Sequence, residues 1–523
     1  MSFSDEMTGE VWEKSCGFGK ARRSLEKVQP GPESSLEERG IAMRNIRVFN
    51  DFKRAKEDFK SIVPGHVGMY VCGPTVYGMP HVGHAKSYIS FDIVYRYLKY
   101  IGYQVKYVQN ITDIGHLVGD ADEGEDKIQK QARIEKLDPV AIAYNYENEF
   151  FKAMDKLNIC RPSISCRATG HIIEIQQMVE TLIDKGYAYV TDEGNVYFDV
   201  HKYPAYGQLS GRTLDDTVSG ERIVVADDKK NPEDFALWKF ADPTHIMKWP
   251  SPWGMGYPGW HIECSVMSKK YLGDTFDIHG GGMDNLFPHH ECECAQSEVA
   301  NGKPICNYFL HNNLVTVDGK KMGKSLGNFV TMENLFKQAS PLAIRFYILQ
   351  THYRRPTDFV VARIKEAEES YNQISAVCDK ARKKVEIPAG AEIETEAVAA
   401  IKEKFLEAMD DDFNTSLAIS YIFELVKTIN TALAADDKAV LRDAVIFVDE
   451  CVNPILGLPF VSEAAAGGDD ALDASLIDMI LAIRTDAKKN KNYALSDQIR
   501  DNLAAIGVTV RDTKNGPEYE INR

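Results

Sequence analysis

VCGPTVYGMPHVGHAKSY, Val71 to Tyr88, decides the fold of this chain. An apolar run ends at Met69-Tyr70-Val71-Cys72, a Gly/Pro turn follows, and His81-Val82-Gly83-His84 opens a helical pattern. Strand, glycine turn and helix start in that order make the nucleotide end of a doubly wound sheet, where phosphate meets the free N–H groups of a helix N-terminus. His81 and His84 can face one point and stabilise charge building on an α-phosphate, while Gly83 lets an adenine ring approach the backbone. Far downstream, Lys321-Met322-Gly323-Lys324-Ser325 sets two ammonium groups on a glycine-hinged loop. Such a loop can close over the same phosphates and hold departing pyrophosphate. Alone, each string is weak, since a lysine loop is ordinary surface. Together they point to ATP activation of a carboxylate.

Working outward, a strand, a helix (Ala85 to Tyr100) and a strand (Gln104 to Ile111) form a βαβ unit. A helix is predicted from Pro139 to about Leu157, and an amphipathic one from His171 to Lys185 with Ile172, Ile175, Val179 and Leu182 on one side. Ala188 to Val200 reads as a hairpin around Asp192-Glu193-Gly194. Residues 165–250 thus break the alternation and are expected to be an insertion between catalytic halves 43–164 and 251–318. The second half resumes with a helix near Glu263, the strand TFDIH and a helix from Pro288. Residues 319–362 carry the lysine loop, 363–460 are almost all helical, and 461–473 form a small-residue acidic linker. Residues 474–523 give two helices and a hairpin around Lys514-Asn515-Gly516. Residues 1–42 read as a flexible extension, and Met43, directly before the core pattern, is a candidate natural start. The expected class is α/β: a Rossmann-type parallel-sheet domain with an insertion, then a helical bundle and a small C-terminal α/β module.

A chain of 523 residues is too long for one core. Hydrophobic content of 44% with 26% charged residues is ordinary for a soluble globular protein. No run reaches the roughly 18 apolar residues of a membrane helix, so no membrane partner is expected, and the polar, acidic N-terminus is not a secretory signal. The 10 Cys lack a disulfide-scaffold spacing, which favours a reducing cytoplasm. A net charge of −16 argues against nucleic acid, yet the charge is uneven. Basic clusters stand at Arg44 to Lys60, Lys127 to Lys136 and Lys488 to Arg500. Each alone reads more readily as a solvated face, but a local track is all that phosphate contacts need, so RNA binding stays open.

Cys72, Cys264, His289 and Glu293 are the metal candidates. His289 and Glu293 stand at i and i+4 of a helix predicted to open at Pro288, hence on one face. Two thiolates, an imidazole and a carboxylate suit Zn²⁺. The string His289-His290-Glu291-Cys292-Glu293-Cys294 offers a competitor, His289 with Cys292 at i+3, and spacing leaves the choice open. His279-Gly280-Gly281-Gly282-Met283-Asp284 follows a strand, so its glycines either admit a ligand closely or make only a tight turn.

At these residues the chain resembles the cysteinyl-tRNA synthetases, a family of class I aminoacyl-tRNA synthetases. The matching strings are MYVCGPTVY, HVGH, YVQNITDI, ATGHI, NPEDFALWK, WPSPWGMGYPGWHIECS, DIHGGGMDNLFPHHE, KMGKSLGN, MDDDFNT and ALSDQIRDNL, running in order from the first core strand to the C-terminus. The resemblance implies a stem-contact region at 319–362 and an anticodon-binding module at 474–523. It implies zinc on Cys72, Cys264, His289 and Glu293, selecting Glu293 over Cys292. It makes Lys324 the ATP-contacting lysine and places Thr112 and Trp260 in the amino-acid pocket. Gly280, Gly281, Gly282 and Asp284 join Gly83 on the adenylate side, with Asp284 at the ribose or the substrate ammonium.

The implied reaction is ATP-dependent activation of L-cysteine, with Mg²⁺ accompanying ATP, and transfer to tRNA(Cys), by a monomer with one zinc per chain. Zinc would solve a selection problem, because near-isosteres such as cysteine and serine differ by only about 1–3 kcal/mol in an ordinary pocket. Gly323 departs from the family's usual Ser, and the first 42 residues have no family counterpart. Two rivals remain: a cysteine-activating ligase with an amino-sugar acceptor, and an inactive zinc-containing RNA-binding protein.

Overall fold

In a computed structural model of the chain, the described residues are 44–117, 124–213, 228–323, 328–460, 470–505, 508–513 and 516–521. All belong to the second of two units, Met1–Ala42 and Met43–Arg523. The expected extension therefore lies outside them, as do Lys324, Ser325, the linker 461–469 and the Lys514-Asn515 turn.

A hairpin of β1 (Arg47–Asn50) and β2 (Ala55–Asp58) precedes β3 (His66–Val71), α1 (Val82–Tyr100), β4 (Gln104–Ile111) and β5 (Ile164–Arg167). The insertion starts after β5, not at 165, and its sheet runs past the expected end at 250: it supplies β6 (Ala188–Val190), β7 (Val196–Phe198), β8 (Phe235–Phe240), β9 (Trp249–Ser251) and β10 (Gly254–Pro258). These five make an antiparallel sheet in the order β6-β7-β8-β10-β9, with Trp238 and Phe198 fully buried between it and the helix Ile172–Asp184. After it come β11 (Phe276–Gly282) and β12 (Cys306–Asn312). The catalytic sheet runs β12-β11-β3-β4-β5 and is parallel at every pairing. Met69, Tyr70, Val71, Val108, Ile111 and Ile278 are fully buried, because helices cover both faces of such a sheet and its strands read as continuous apolar runs.

Two element boundaries of the catalytic halves differ from expectation, each for a local reason. α1 begins at Val82, three residues early, because the His81 ring caps it by accepting from Gly83 N. The helix expected from Pro288 begins at Glu291, after a wider turn over Leu286–His290. Phe287 is extended there (φ −142°, ψ 131°), as proline disfavours a helical residue before it.

The bundle comprises Val361–Arg382, Glu396–Asp410, Thr415–Ala435 and Lys438–Phe447. Thr415–Ala435, with mean hydropathy 1.3, is long and apolar enough to cross a membrane by length and composition, although it carries internal charges. Its Ile419, Ile422, Leu425 and Ile429 are spent on the bundle core. A buried ion group joins α1 to the helices Pro341–Leu349 and Asn453–Leu456. Arg345 Nη2 donates to Asp92 Oδ2 of α1 (2.5 Å) and its Nε to Leu456 O (2.7 Å), while Arg96 Nε reaches the same Asp92 oxygen (2.7 Å). Beyond the linker, helices Asp470–Lys489 and Tyr493–Ala505 precede an antiparallel pair, Val508–Thr513 and Gly516–Ile521. Ile477, Leu481, Leu503 and Val508 form a core of their own. The first of these helices starts four residues before position 474.

Candidate active site and metal centre

The turn after β3 is held by β4. Gly73 is obligatory, since a Cβ there would meet Asn110 O at 1.5 Å, and its N–H donates to Asn110 Oδ1 (2.7 Å). Thr112 N donates to Pro74 O and Val76 N to Thr112 O (3.1 Å each), so the CGPT turn and the end of β4 move as one piece. At the start of α1 the rings of His81 and His84 stack 3.8 Å apart. His81 Nδ1 accepts from Gly83 N and His84 Nδ1 from His81 N, which leaves Nε2 of each neutral ring to carry the proton and donate. Burial, then the neighbouring His81, holds His84 well below its ordinary pKa. A side chain at Gly83 would strike the His81 ring at 2.9 Å.

The segment after the lysine loop closes on this turn. Val82 N donates to Val330 O (3.2 Å), Met332 N to Pro80 O (2.8 Å), and Phe329 packs edge-on against His81. Met322 Cε lies 3.8 Å from where a Gly83 Cβ would stand. Lys321 falls in the two-residue strand Lys320–Lys321, whereas Lys324 lies outside the described residues.

Cys72 at the end of β3, Cys264 on the helix Ile262–Leu272, His289 in the wide turn and Glu293 on the helix Glu291–Asn301 converge. Their ligand atoms all lie within 4.8 Å of one another, and all four residues are buried. Sγ to Sγ is 3.8 Å, Cys72 Sγ to Glu293 Oε1 3.7 Å, and His289 Nε2 to Glu293 Oε1 3.1 Å. Tetrahedral zinc at ordinary bond lengths asks for about 3.8, 3.6 and 3.3 Å, so the donor set fits the ion. Burial pushes both thiols up, which keeps them protonated unless a cation compensates.

A second group, Cys72, His279, His290 and Glu293, meets the same distance criterion. Its two histidines each face one of the two donors that the groups share. His279 Nε2 faces Glu293 Oε2 (2.8 Å), and His290 Nε2 faces Cys72 Sγ (3.2 Å). His290 Nδ1 continues to His311 Nε2 (2.8 Å), and His311 Nδ1 to Asp51 Oδ2 (2.9 Å). They read as outer partners that orient the donors. Cys292 Sγ faces Tyr206 Oη (3.4 Å), Cys294 is buried in apolar core, and neither joins a metal group among the described residues.

Thr112 Oγ1 donates to Glu263 Oε2 (2.9 Å) and accepts from Asn110 Nδ2 (3.0 Å). Trp260 stacks on His289, centroids 4.3 Å apart. Of the three glycines after β11 begins, two are required by the protein itself: a Cβ at Gly280 would enter the Phe91 ring (2.4 Å), and one at Gly281 the His290 ring (2.7 Å). Gly282 would meet Asp284 Oδ1 at 2.2 Å, which puts that carboxylate at the strand's C-terminal end. Sequence reasoning missed Glu263, fully buried with its pKa raised by desolvation, and the histidines 116, 261, 279 and 311, while His290 entered only as a rival metal donor in the string HHECEC. Histidines inside otherwise apolar strand ends, as in FDIHGGG and YFLHN, were the available signal.

Comparisons with known proteins agree along the chain. The family described as tRNA synthetases class I (C) catalytic domain matches residues 58–369, the DALR domain 404–461, and the cysteinyl-tRNA ligase anticodon binding domain 473–519. The chain is 49% identical over 488 residues to a protein named "Cysteine--tRNA ligase" from Chlorobaculum tepidum, covering 91% of this chain and 99% of that one. It is 46% identical over 487 residues to the protein of the same name from Deinococcus radiodurans, covering 91% and 97%. Among solved structures, methionyl-tRNA synthetase of Mycobacterium tuberculosis with methionyl-adenylate gives a TM-score of 0.55 at 14% identity, covering 75% of this chain and 92% of that one. The Agrobacterium radiobacter LeuRS-tRNA-LeuAMS complex gives 0.57 at 11%, covering 78% and 86%. At such identities these two speak for the fold alone.

Proposed function

The chain belongs to the cysteine-tRNA ligase family, an aminoacyl-tRNA synthetase family with ATP-dependent chemistry, and from that membership we propose how its own residues select and activate cysteine. Cys72, Cys264, His289 and Glu293 hold one Zn²⁺, which when bound supplies a soft Lewis acid that takes a thiolate far better than a hydroxyl. The observation that carries this reading is the convergence of four buried donors from three segments of the chain, with pair distances near those of a tetrahedral site.

Thr112 and Trp260 wall the amino-acid pocket, Thr112 being fixed by Glu263 and Asn110. ATP arrives as its Mg²⁺ complex. The cysteine carboxylate attacks the α-phosphorus, the bond to the β-phosphate oxygen breaks, and pyrophosphate leaves. His81 and His84 donate from Nε2 to the α-phosphate oxygens as charge develops there. Lys321 and Lys324 hold the leaving pyrophosphate, and Asp284 binds the adenylate ribose or the substrate ammonium. A 3′-terminal ribose hydroxyl of tRNA(Cys) then attacks the activated carbonyl and releases AMP. The module 474–523 reads the anticodon, in a monomer acting in the cytoplasm. An amino-sugar acceptor is not favoured, because the anticodon-binding match spans 473–519, and an inactive protein is not favoured by relatives named as ligases.

Pyrophosphate exchange with cysteine or serine, zinc analysis and tRNA charging on one preparation test the proposal. Expected are one zinc per chain, exchange with cysteine at least about 10⁴-fold above serine, and charging of tRNA(Cys). Equal exchange with serine, or full selectivity after zinc removal, would overturn the zinc assignment.

A further inference from the structure

His116 was not among the residues that the sequence motifs selected, yet it lies flat on Trp260. Their ring centroids are 3.9 Å apart and their planes 10° apart. Trp260 also stacks on His289, at 4.3 Å and 26°. Two near-parallel rings this close to one indole cannot share a face without overlapping, so His116 and His289 take opposite faces. The result is a three-ring sandwich that ends on a proposed zinc ligand. Trp260 is only half-buried, as a wall facing substrate should be, whereas His116 is 8% exposed.

The outer ring is firmly held. His116 Nε2 lies 2.6 Å from Lys127 Nζ, and Nδ1 lies 2.6 Å from Thr75 Oγ1. A charged lysine has no lone pair, so Nε2 accepts and Nδ1–H donates to the threonine. The backbone locks the same place: Lys127 N donates to His116 O (2.9 Å), and Leu117 pairs with Asp126. Thr75 belongs to the CGPT turn, three residues beyond Cys72, and pairs with Thr112. One imidazole therefore joins the nucleotide turn to the wall of the amino-acid pocket.

We propose that His116 is a positioning residue that strengthens cysteine binding by clamping the Trp260 indole against His289. The inference rests on the proposed roles of Trp260 and His289. His116 touches no reacting atom, so its contribution is to cysteine binding, equal in ground and transition states, and appears in KM rather than in kcat.

The test compares His116→Asn, which keeps polarity without a stacking ring, with His116→Phe, which keeps the ring without the tethers. In pyrophosphate exchange, His116→Asn should raise the cysteine KM roughly five- to tenfold, the worth of one aromatic stack, with kcat within about twofold. His116→Phe should restore KM to within about twofold. ATP KM and zinc per chain should not change in either. A second readout needs neither zinc nor substrate: the emission of Trp260, isolated by subtracting Trp260→Phe, should shift to longer wavelength in the Asn variant and not in the Phe variant. Equal KM values for the two variants, a fall in kcat at constant KM, or unmoved Trp260 emission in the Asn variant would each overturn the proposal. Absence of zinc or of cysteine selectivity in the unmodified protein would instead sink the proposed function, while the emission comparison would still judge the stack.

Discussion

Glu293 and Cys292 are neighbours on one helix and face different partners, Glu293 the three other donors and Cys292 the Tyr206 hydroxyl. Glu293→Ala should therefore lose zinc and cysteine activation together, by at least about a hundredfold in kcat/KM, while Cys292→Ser keeps both within about twofold. Elemental analysis beside pyrophosphate exchange reads the difference, and the reverse pattern would remove Glu293 from the site. The four donors were legible in the sequence by residue type. The choice between Glu293 and Cys292 was not legible from spacing, because i+3 and i+4 share a helix face. The wide turn at 286–290, which sets how His289 meets that helix, leaves no mark on the periodicity.

Lys86 makes a separate point at this scale. It is fully buried on α1, its Nζ has no hydrogen-bond partner among the described residues, and burial lowers its pKa to about 7. The unfolded chain keeps this proton up to an ordinary lysine pKa. The folded state therefore carries the full penalty at and below pH 7, and the penalty fades as pH rises toward 10.5. Lys86→Met should raise stability by about 1–3 kcal/mol at pH 7, with the gain shrinking at alkaline pH. Denaturant melts of both proteins at several pH values would show it, and a gain independent of pH would point to packing alone.

Among elements, α1 has two duties, one at its N-terminus and one at its middle. Its N-terminus presents the capped histidines, and its third turn carries Asp92 into the ion group with Arg345 and Arg96. Arg345 is fully buried, so Asp92→Asn leaves a charge without compensation and should cost about 3–5 kcal/mol. A drop in denaturant midpoint at unchanged slope would express that, whereas a change under 1 kcal/mol would show the guanidinium satisfied by Leu456 O and its other carbonyl partners. The βαβ unit, the insertion hairpin and the resumed alternation were all readable, since each is a local periodicity. The Asp92–Arg345 pair was not, because 253 residues separate its members and no short pattern spans that distance.

At the scale of the whole molecule, the first basic cluster turns out to be largely neutralised. Arg44 pairs with Glu403 and Asp410, Lys53 with Glu57, and Lys56 with Asp411. These residues tie the N-terminal hairpin to its surroundings and are a poor track for phosphate. The C-terminal cluster is paired in the same way, Lys489 with Asp486 and Arg500 with Asp497 and Asp501, so ion pairing does not single out the C-terminal module, whose link to tRNA rests on its family match. The structure also says where that module can be removed. Phe460 is fully buried, stacks near Tyr371 at 5.3 Å and belongs to the large core, while Tyr371 Oη donates to Pro459 O (2.6 Å). A cut before Phe460 would damage the bundle; a cut after it removes only residues whose apolar cluster, Ile477, Leu481, Leu503 and Val508, is separate. Truncation after Phe460 should leave cysteine-dependent pyrophosphate exchange within about twofold and raise the KM for tRNA at least tenfold, roughly the loss of one stacked base. Both half-reactions measured on the truncated and full chains decide it. Equal loss in both would mean that the module supports the catalytic core, and full charging efficiency would place anticodon reading elsewhere in the chain.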